Sequence, residues 1–147
     1  MSLQTALAAE HVFLGVRAGA KPELIVEIAR RIEAAGGPPA ALVVSALQAR
    51  EVLGSTGVGN GIAVPHAALP ELAAPLAYLV QLARPVPFAA IDGQAVDLLF
   101  VLLTPPAARA EHLALLAAGT RRLREPAVAA ALRAVASKAA AHALLVG

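Results

Sequence analysis

Cysteine is absent from all 147 residues, which excludes disulfides, thiolate metal sites and cysteine nucleophiles together. Tryptophan is absent as well, and the aromatics are limited to Phe13, Phe88, Phe100 and Tyr78. That is too few to build a platform on which bases stack. Lysine occurs only at positions 21 and 138, the densest basic patch is "TRRLRE" (Thr120–Glu125), and the formal net charge is only +2. Phosphate-backbone affinity needs clustered cations, so nucleic acid is not an expected partner. No apolar run approaches the ~18 residues that span a bilayer, and "MSLQTALAAEHVF" lacks the basic start and long apolar core of a signal peptide. The expectation is a cytoplasmic protein without membrane insertion.

What is present is an alanine-rich, aliphatic chain, 59% hydrophobic, of a length that suits one domain with its own core. "HVFLGVRA" (His11–Ala18) reads as a strand. "KPELIVEIARRIEAAGG" reads as a helix with Pro22 near its first turn, Leu24, Ile25, Ile28 and Ile32 on one face, and Gly36 and Gly37 as its stop. Pro39–Leu53 reads as a second helix with Leu42, Val43, Ala46 and Leu47 inward and Arg50 in its last turns. "GIAV" is a short strand that Pro65 ends. "PLAYLVQLA" and "AVDLLFVLL" are near-continuous apolar runs of the kind buried on both faces. Asp92 and Gly93 between them predict a tight turn and an antiparallel hairpin. A third helix starts near Ala107, Pro126 opens a fourth, and Ser137 caps a last one. Strands mixed with helices in this way predict an α/β fold, a single mixed parallel/antiparallel sheet with helices on both faces.

The stretch "GSTGVGNGIAVPHA" (Gly54–Ala67) places four glycines in eight residues ahead of a proline and a histidine. A P-loop needs a lysine and hydroxyl after its last glycine, and neither is here. A dinucleotide fingerprint lies between a strand and a helix, whereas these glycines follow a helix and precede a strand. There is no G-x-S-x-G elbow, because Ser55 directly follows Gly54. Two readings remain open on the residues alone. The glycines form a plain turn out of the second helix and His66 ends a strand, or the loop brings backbone N–H groups to a phosphoryl group held by His66.

The same stretch closely resembles the active-site signature of enzyme IIA domains of the bacterial phosphoenolpyruvate-dependent phosphotransferase system. The likeness is to the fructose/mannitol type, whose relatives include nitrogen-regulatory IIA proteins. It extends through "AREVLGSTG", which carries Arg50, through "RPVPFAAIDGQAVDLLFVLLTPP", and through "EHLALLA", which carries His112. The departures are Ala68, Pro87 and Ala95, which bear on partner recognition more than on chemistry. The resemblance implies one domain over residues 1–147 in which His66 accepts the phosphoryl group on Nε2, with Arg50 and His112 as the other catalytic residues. Phosphate binding is expected of the loop at Ser55, Thr56, Gly57, Gly59 and Asn60, and a backbone carbonyl of the glycine loop is expected to hold Nδ1 of His66. His112 is expected to donate to a phosphate oxygen or to gain a proton when the phosphate arrives. No metal or cofactor is implied. The implied partners are an HPr-like phosphocarrier and either a IIB domain or regulated proteins.

These residue types suit that chemistry. An imidazole with an ordinary pKa of about 6.5 is both a neutral nucleophile and a good leaving group, and a guanidinium is an always-charged fork for phosphate oxygens. "DGQAVDL" and the glycine stretch look more like the regulatory group; a sugar-specific IIA subunit and an unphosphorylated interaction module are the alternatives. His11 and His142 match no motif and are expected at the surface. Asp92 and Asp97 are expected to shape a turn and a strand end. Leu69, Pro70 and Leu72 either rim a docking patch or, for the leucines, join the core.

Overall fold

The computed structural model describes every residue, Met1–Gly147. In chain order the elements are α1 (Leu3–Ala6), a 3₁₀ turn at Ala9–His11, β1 (Val12–Val16), α2 (Lys21–Ala34), α3 (Ala40–Val52) and β2 (Gly57–Gly59). They continue through β3 (Ile62–Ala63), β4 (His66–Ala68), β5 (Leu76–Val86), β6 (Val96–Thr104), α4 (Arg109–Arg124), α5 (Pro126–Ala134) and α6 (Lys138–Val146). The sheet runs β1-β5-β6-β3-β2, and β4 follows β3 along the same edge of β6. β1 is parallel to β5, and β3 and β4 are parallel to β6. The pairs β5–β6 and β2–β3 are antiparallel. This is the expected mixed α/β sheet.

The apolar run of β6 is explained by the two faces it serves. Successive side chains of a strand point to opposite sides. Leu98, Phe100 and Leu102 therefore pack with Leu115, Leu123, Leu132 and Leu145 under α4, α5 and α6. Leu99, Val101 and Leu103 pack with Leu24, Ile28, Ile32, Val43 and Leu47 under α2 and α3. Gly119 lets α4 come this close, since a Cβ there would lie 2.5 Å from the Phe100 ring.

Local signals set the helix ends. α2 carries Pro22 in its first turn, and the N–H of Gly37 closes its end on Ile32 O at 2.9 Å. Ser137 accepts from Ala140 N at 3.0 Å and caps α6 as expected. In α3 only Val43 and Leu47 are fully buried; Leu42, expected inward, is at the surface because the face turned to the core is that of Ala40, Val43, Val44 and Leu47. The β5–β6 hairpin is antiparallel as expected, with a turn from Ala90 O to Gly93 N of 2.9 Å. Its connection is longer than a tight turn, reaching from Pro87 to Ala95.

Two expectations about histidine are corrected. His11 and His142 are half-buried fasteners rather than free surface residues. His11 Nδ1 lies 3.0 Å from Ala77 O, and its ring is 4.5 Å from that of Tyr78. His142 Nε2 lies 2.7 Å from Leu7 O and ties α6 to the start of the chain. Tyr78, fully buried on the sheet, has its phenol pushed up to about 12 by that burial.

Candidate functional site

Pro65 interrupts the strand that runs beside β6. It has no N–H to give the ladder, so β3 stops at Ala63 and pairing with β6 resumes at His66, opposite Leu102. Across the gap the N–H of Val64 donates to Thr56 O at 3.0 Å, and Pro65 O accepts from Leu102 N at 3.0 Å. The carbonyl of Val64 is met by Nδ1 of His66 at 2.7 Å. A carbonyl in the glycine loop was expected here; the one used lies beyond it, at the proline break.

Arg50 approaches from the last turn of α3. Its Nη1 donates to Gly54 O at 2.9 Å, closing an orphan carbonyl beyond the helix. Its Nε donates to Nε2 of His66 at 3.3 Å. A guanidinium can only donate, so Nε2 is the bare nitrogen and Nδ1 carries the hydrogen that Val64 O accepts. Both contacts fix one tautomer, with a lone pair on Nε2.

His112, in the first turns of α4, stands edge-on to His66 with ring centroids 5.3 Å apart and an interplanar angle of 66°. Its Nδ1 lies 2.6 Å from the hydroxyl of Thr104, the last residue of β6. Burial first, then the facing His66 and the Arg109 guanidinium, hold His112 below the ordinary imidazole value. Arg50, His66, Thr104, Arg109 and His112 line one cleft of about 540 Å³, with exposed Leu53 and Leu113 on its rim. Leu69 is buried and Leu72 packs against the core, so these leucines do not rim the cleft; Pro70 is exposed but lies outside it.

The glycine loop does not line the His66 cleft. Ser55, Thr56, Gly57, Gly59 and Asn60 all lie outside the His66 cleft, and most of their donors already have partners. Ser55 donates its hydroxyl to Phe88 O at 2.6 Å and accepts from Gly57 N at 3.0 Å. Thr56 gives its N–H at 3.1 Å and its hydroxyl at 2.5 Å to the carboxylate of Glu51, which also pairs with Lys21 at 2.8 Å. Asn60 gives its N–H to Asp92 at 2.9 Å, and Gly59 lies against the same carboxylate. The expected phosphate-binding loop is a hairpin, β2 against β3, tied down by its own side chains. Asp92 and Asp97 do shape turn and strand end: Asp97 is held by Arg133 at 2.9 Å, and the Asn60 and Gln94 amides hold the Asp92 carboxyl below its ordinary range.

Two cleft residues went unnoticed in the sequence, Thr104 and Arg109. Thr104 had a signal, a lone hydroxyl ending the otherwise apolar run "LLFVLLT" eight residues before His112. Arg109 had none, being one of several arginines on α4.

The family model for the phosphoenolpyruvate-dependent sugar phosphotransferase system, EIIA 2, matches residues 5–146. A nitrogen regulatory protein of Bradyrhizobium diazoefficiens is 37% identical over 134 residues, covering 91% of this chain and 88% of that protein. The crystal structure of the nitrogen regulatory protein IIA-Ntr from Neisseria meningitidis superposes with a TM-score of 0.89 at 33% identity, covering 96% of this chain and 97% of that one. The IIA mannitol enzyme of Escherichia coli, solved in complex with phosphorylated IIB mannitol enzyme, superposes with a TM-score of 0.77 at 25% identity over 94% of this chain and 95% of that one.

Proposed function

The chain belongs to the phosphoenolpyruvate-dependent sugar phosphotransferase system EIIA 2 family, and from that premise we propose that it is a phosphoryl relay protein whose acceptor is Nε2 of His66. An HPr-like phosphocarrier presents its phosphohistidine to the cleft. The lone pair on Nε2 forms the new N–P bond, the donor's N–P bond breaks, and its electron pair returns to the donor imidazole. The remaining hydrogen of His66 stays on Nδ1, against Val64 O. Such transfers pass through a loose transition state with charge on the equatorial oxygens, so positioning and electrostatics carry the rate. Arg50 supplies a fixed positive charge beside Nε2, and Arg109 and His112 line the same cleft. The observation that carries the proposal is the bare Nε2 of His66, facing a guanidinium at the mouth of a solvent-open cleft.

A regulatory role, in which the phosphorylation state alters binding to other proteins, is supported by the likeness to nitrogen regulatory proteins at 33% and 37% identity. A sugar-transport role, passing phosphate to a IIB domain, has the mannitol complex in its favour at 25% identity. We place the protein in the cytoplasm, where such phosphocarriers act; no helix is long and apolar enough to cross a membrane. Incubation with phosphoenolpyruvate, enzyme I and a phosphocarrier adds one acid-labile, base-stable phosphate, and His66→Ala takes up none. Labelling that survives in His66→Ala refutes the assignment. Transfer onward to a IIB domain separates the transport role from the regulatory one.

A further inference from the structure

Thr104 is 1% exposed, and the hydroxyl it holds at the end of β6 has a single partner, Nδ1 of His112 at 2.6 Å. We infer that Thr104 is a positioning residue of the transfer site: it donates to Nδ1, locks His112 as the Nε2–H tautomer, and so sets a neutral N–H beside the lone pair of His66. The inference rests on the relay proposed above for its function, but not for its geometry.

The direction of this hydrogen bond follows from satisfying both groups. A threonine hydroxyl has one hydrogen to give, and a neutral imidazole has one bare nitrogen to receive it. If the ring instead gave its hydrogen from Nδ1, the hydroxyl hydrogen of Thr104 would be left in the interior without an acceptor. Leaving a buried donor unmet costs about 1–3 kcal/mol. The protonated ring meets the same obstacle, because both of its nitrogens are donors. Burial, His66 and Arg109 act in the same direction on that ring. Nε2 of His112 has no partner within the chain, so the N–H it carries is free to meet a phosphoryl oxygen.

The two rings thus hold opposite tautomers, each set by one hydrogen bond on Nδ1. Val64 O receives a hydrogen from His66, and Thr104 gives one to His112. The result is an acceptor nitrogen and a donor nitrogen on adjacent rings, whose centroids are 5.3 Å apart. A nucleophile needs the first and a phosphoryl oxygen needs the second, and no proton has to move between them during transfer. Of the two roles expected for His112, this leaves the hydrogen-bond donor and removes the proton acceptor.

Two measurements test this independently. A two-bond proton–nitrogen correlation spectrum of the unphosphorylated protein near neutral pH reports which ring nitrogens carry hydrogen. His112 should show hydrogen on Nε2 and a bare, hydrogen-bonded Nδ1, and His66 the reverse. Hydrogen on Nδ1 of His112, or on both nitrogens, overturns the inference even if phosphate transfer proceeds. The second measurement is the transfer rate from the phosphocarrier. Thr104→Val keeps the shape, loses the hydroxyl, and should slow transfer about tenfold, the size of one misdirected hydrogen bond. Thr104→Ser should recover most of that loss, and His112→Gln, which keeps a neutral N–H at similar reach, should be faster than His112→Ala. An undiminished rate in Thr104→Val, or equal losses in the valine and serine variants, overturns it too. If the wild-type protein takes up no phosphate at all, the relay reading fails while the spectrum still decides the tautomer.

Discussion

Two regions adjoin where Arg50 donates to Gly54 O, and they differ in how many of their polar groups remain free. On one side, the hairpin of residues 54–61 has most of its donors and acceptors engaged within the chain: Thr56 on Glu51, Ser55 on Phe88 O, Asn60 N–H on Asp92, and Asn60 O on Arg133 at 2.7 Å. On the other side, the cleft of His66 holds groups with valence to spare. Nε2 of His112 has no partner, Arg109 is exposed and in no ion pair, and Nε2 of His66 has only the long 3.3 Å contact from Arg50. Satisfied polar groups stabilise a fold, and unsatisfied ones at a solvent-open surface are able to bind. On that ground we propose the hairpin as scaffold and the cleft as site, although the two are adjacent in the chain.

The largest effect expected from this contrast is on the cleft side. Arg50→Ala should slow phosphoryl transfer to His66 by about 10²-fold, as loss of a positioned transition-state donor does, with thermal unfolding changed little. An unchanged rate would move Arg50 to the scaffold, as a cap for Gly54 O alone.

Next in size is Gly61→Ala on the hairpin side. Gly61 has φ +77°, and a Cβ there would stand 2.7 Å from Arg133 Nη2 and 2.9 Å from Asp97 Oδ1. A side chain held in that backbone region costs about 1–3 kcal/mol, and the Arg133–Asp97 pair must also shift. Denaturant unfolding should report a loss of this size, while the folded variant transfers phosphate within about twofold of the wild-type rate. A large rate loss in folded protein would show that the hairpin serves the site directly.

Much of this contrast is visible in the sequence, but not its placement. The α/β class was legible because β6 is apolar at nearly every position, and only a strand covered on both faces needs that. His66, Arg50 and His112 were legible through the resemblance, and the structure gathers all three in one cleft. The hairpin was not legible, because glycines permit close approach by a ligand and equally permit a tight β turn. What decides between them is whether the amides have partners. Those partners, Glu51, Phe88 and Asp92, lie up to 33 residues away from the groups they hold. Thr104 was missed for a similar reason, since its role exists only once α4 folds back over the end of β6.

A smaller effect separates the regions at a single hydroxyl. Ser55→Ala removes the hydrogen bond to Phe88 O and should cost about 1 kcal/mol of stability, read as a lower unfolding midpoint. Transfer should stay within about twofold, because the hydroxyl faces inward. A rate loss well beyond the stability loss would restore Ser55 as a phosphate ligand.

The finest distinction is in pH. His112 has its folded pKa below the unfolded value of 6.5, so from 6.5 downward the unfolded chain binds a proton that folded His112 resists. Stability then falls as pH drops through the window between that value and the folded pKa, and none of this contribution is lost above it. Asp92 is also lowered, from 3.8, by the Asn60 and Gln94 amides, and its contribution is present above 3.8 and lost as pH falls further. The cleft should therefore begin to lose stability in mild acid and the hairpin only in strong acid. His112→Gln should remove the slope of unfolding free energy just below 6.5 and leave the strongly acidic limb unchanged, while Asp92→Asn should do the opposite. If both substitutions altered the same pH range, the two regions would be electrostatically one, and the division between scaffold and site would have to be redrawn.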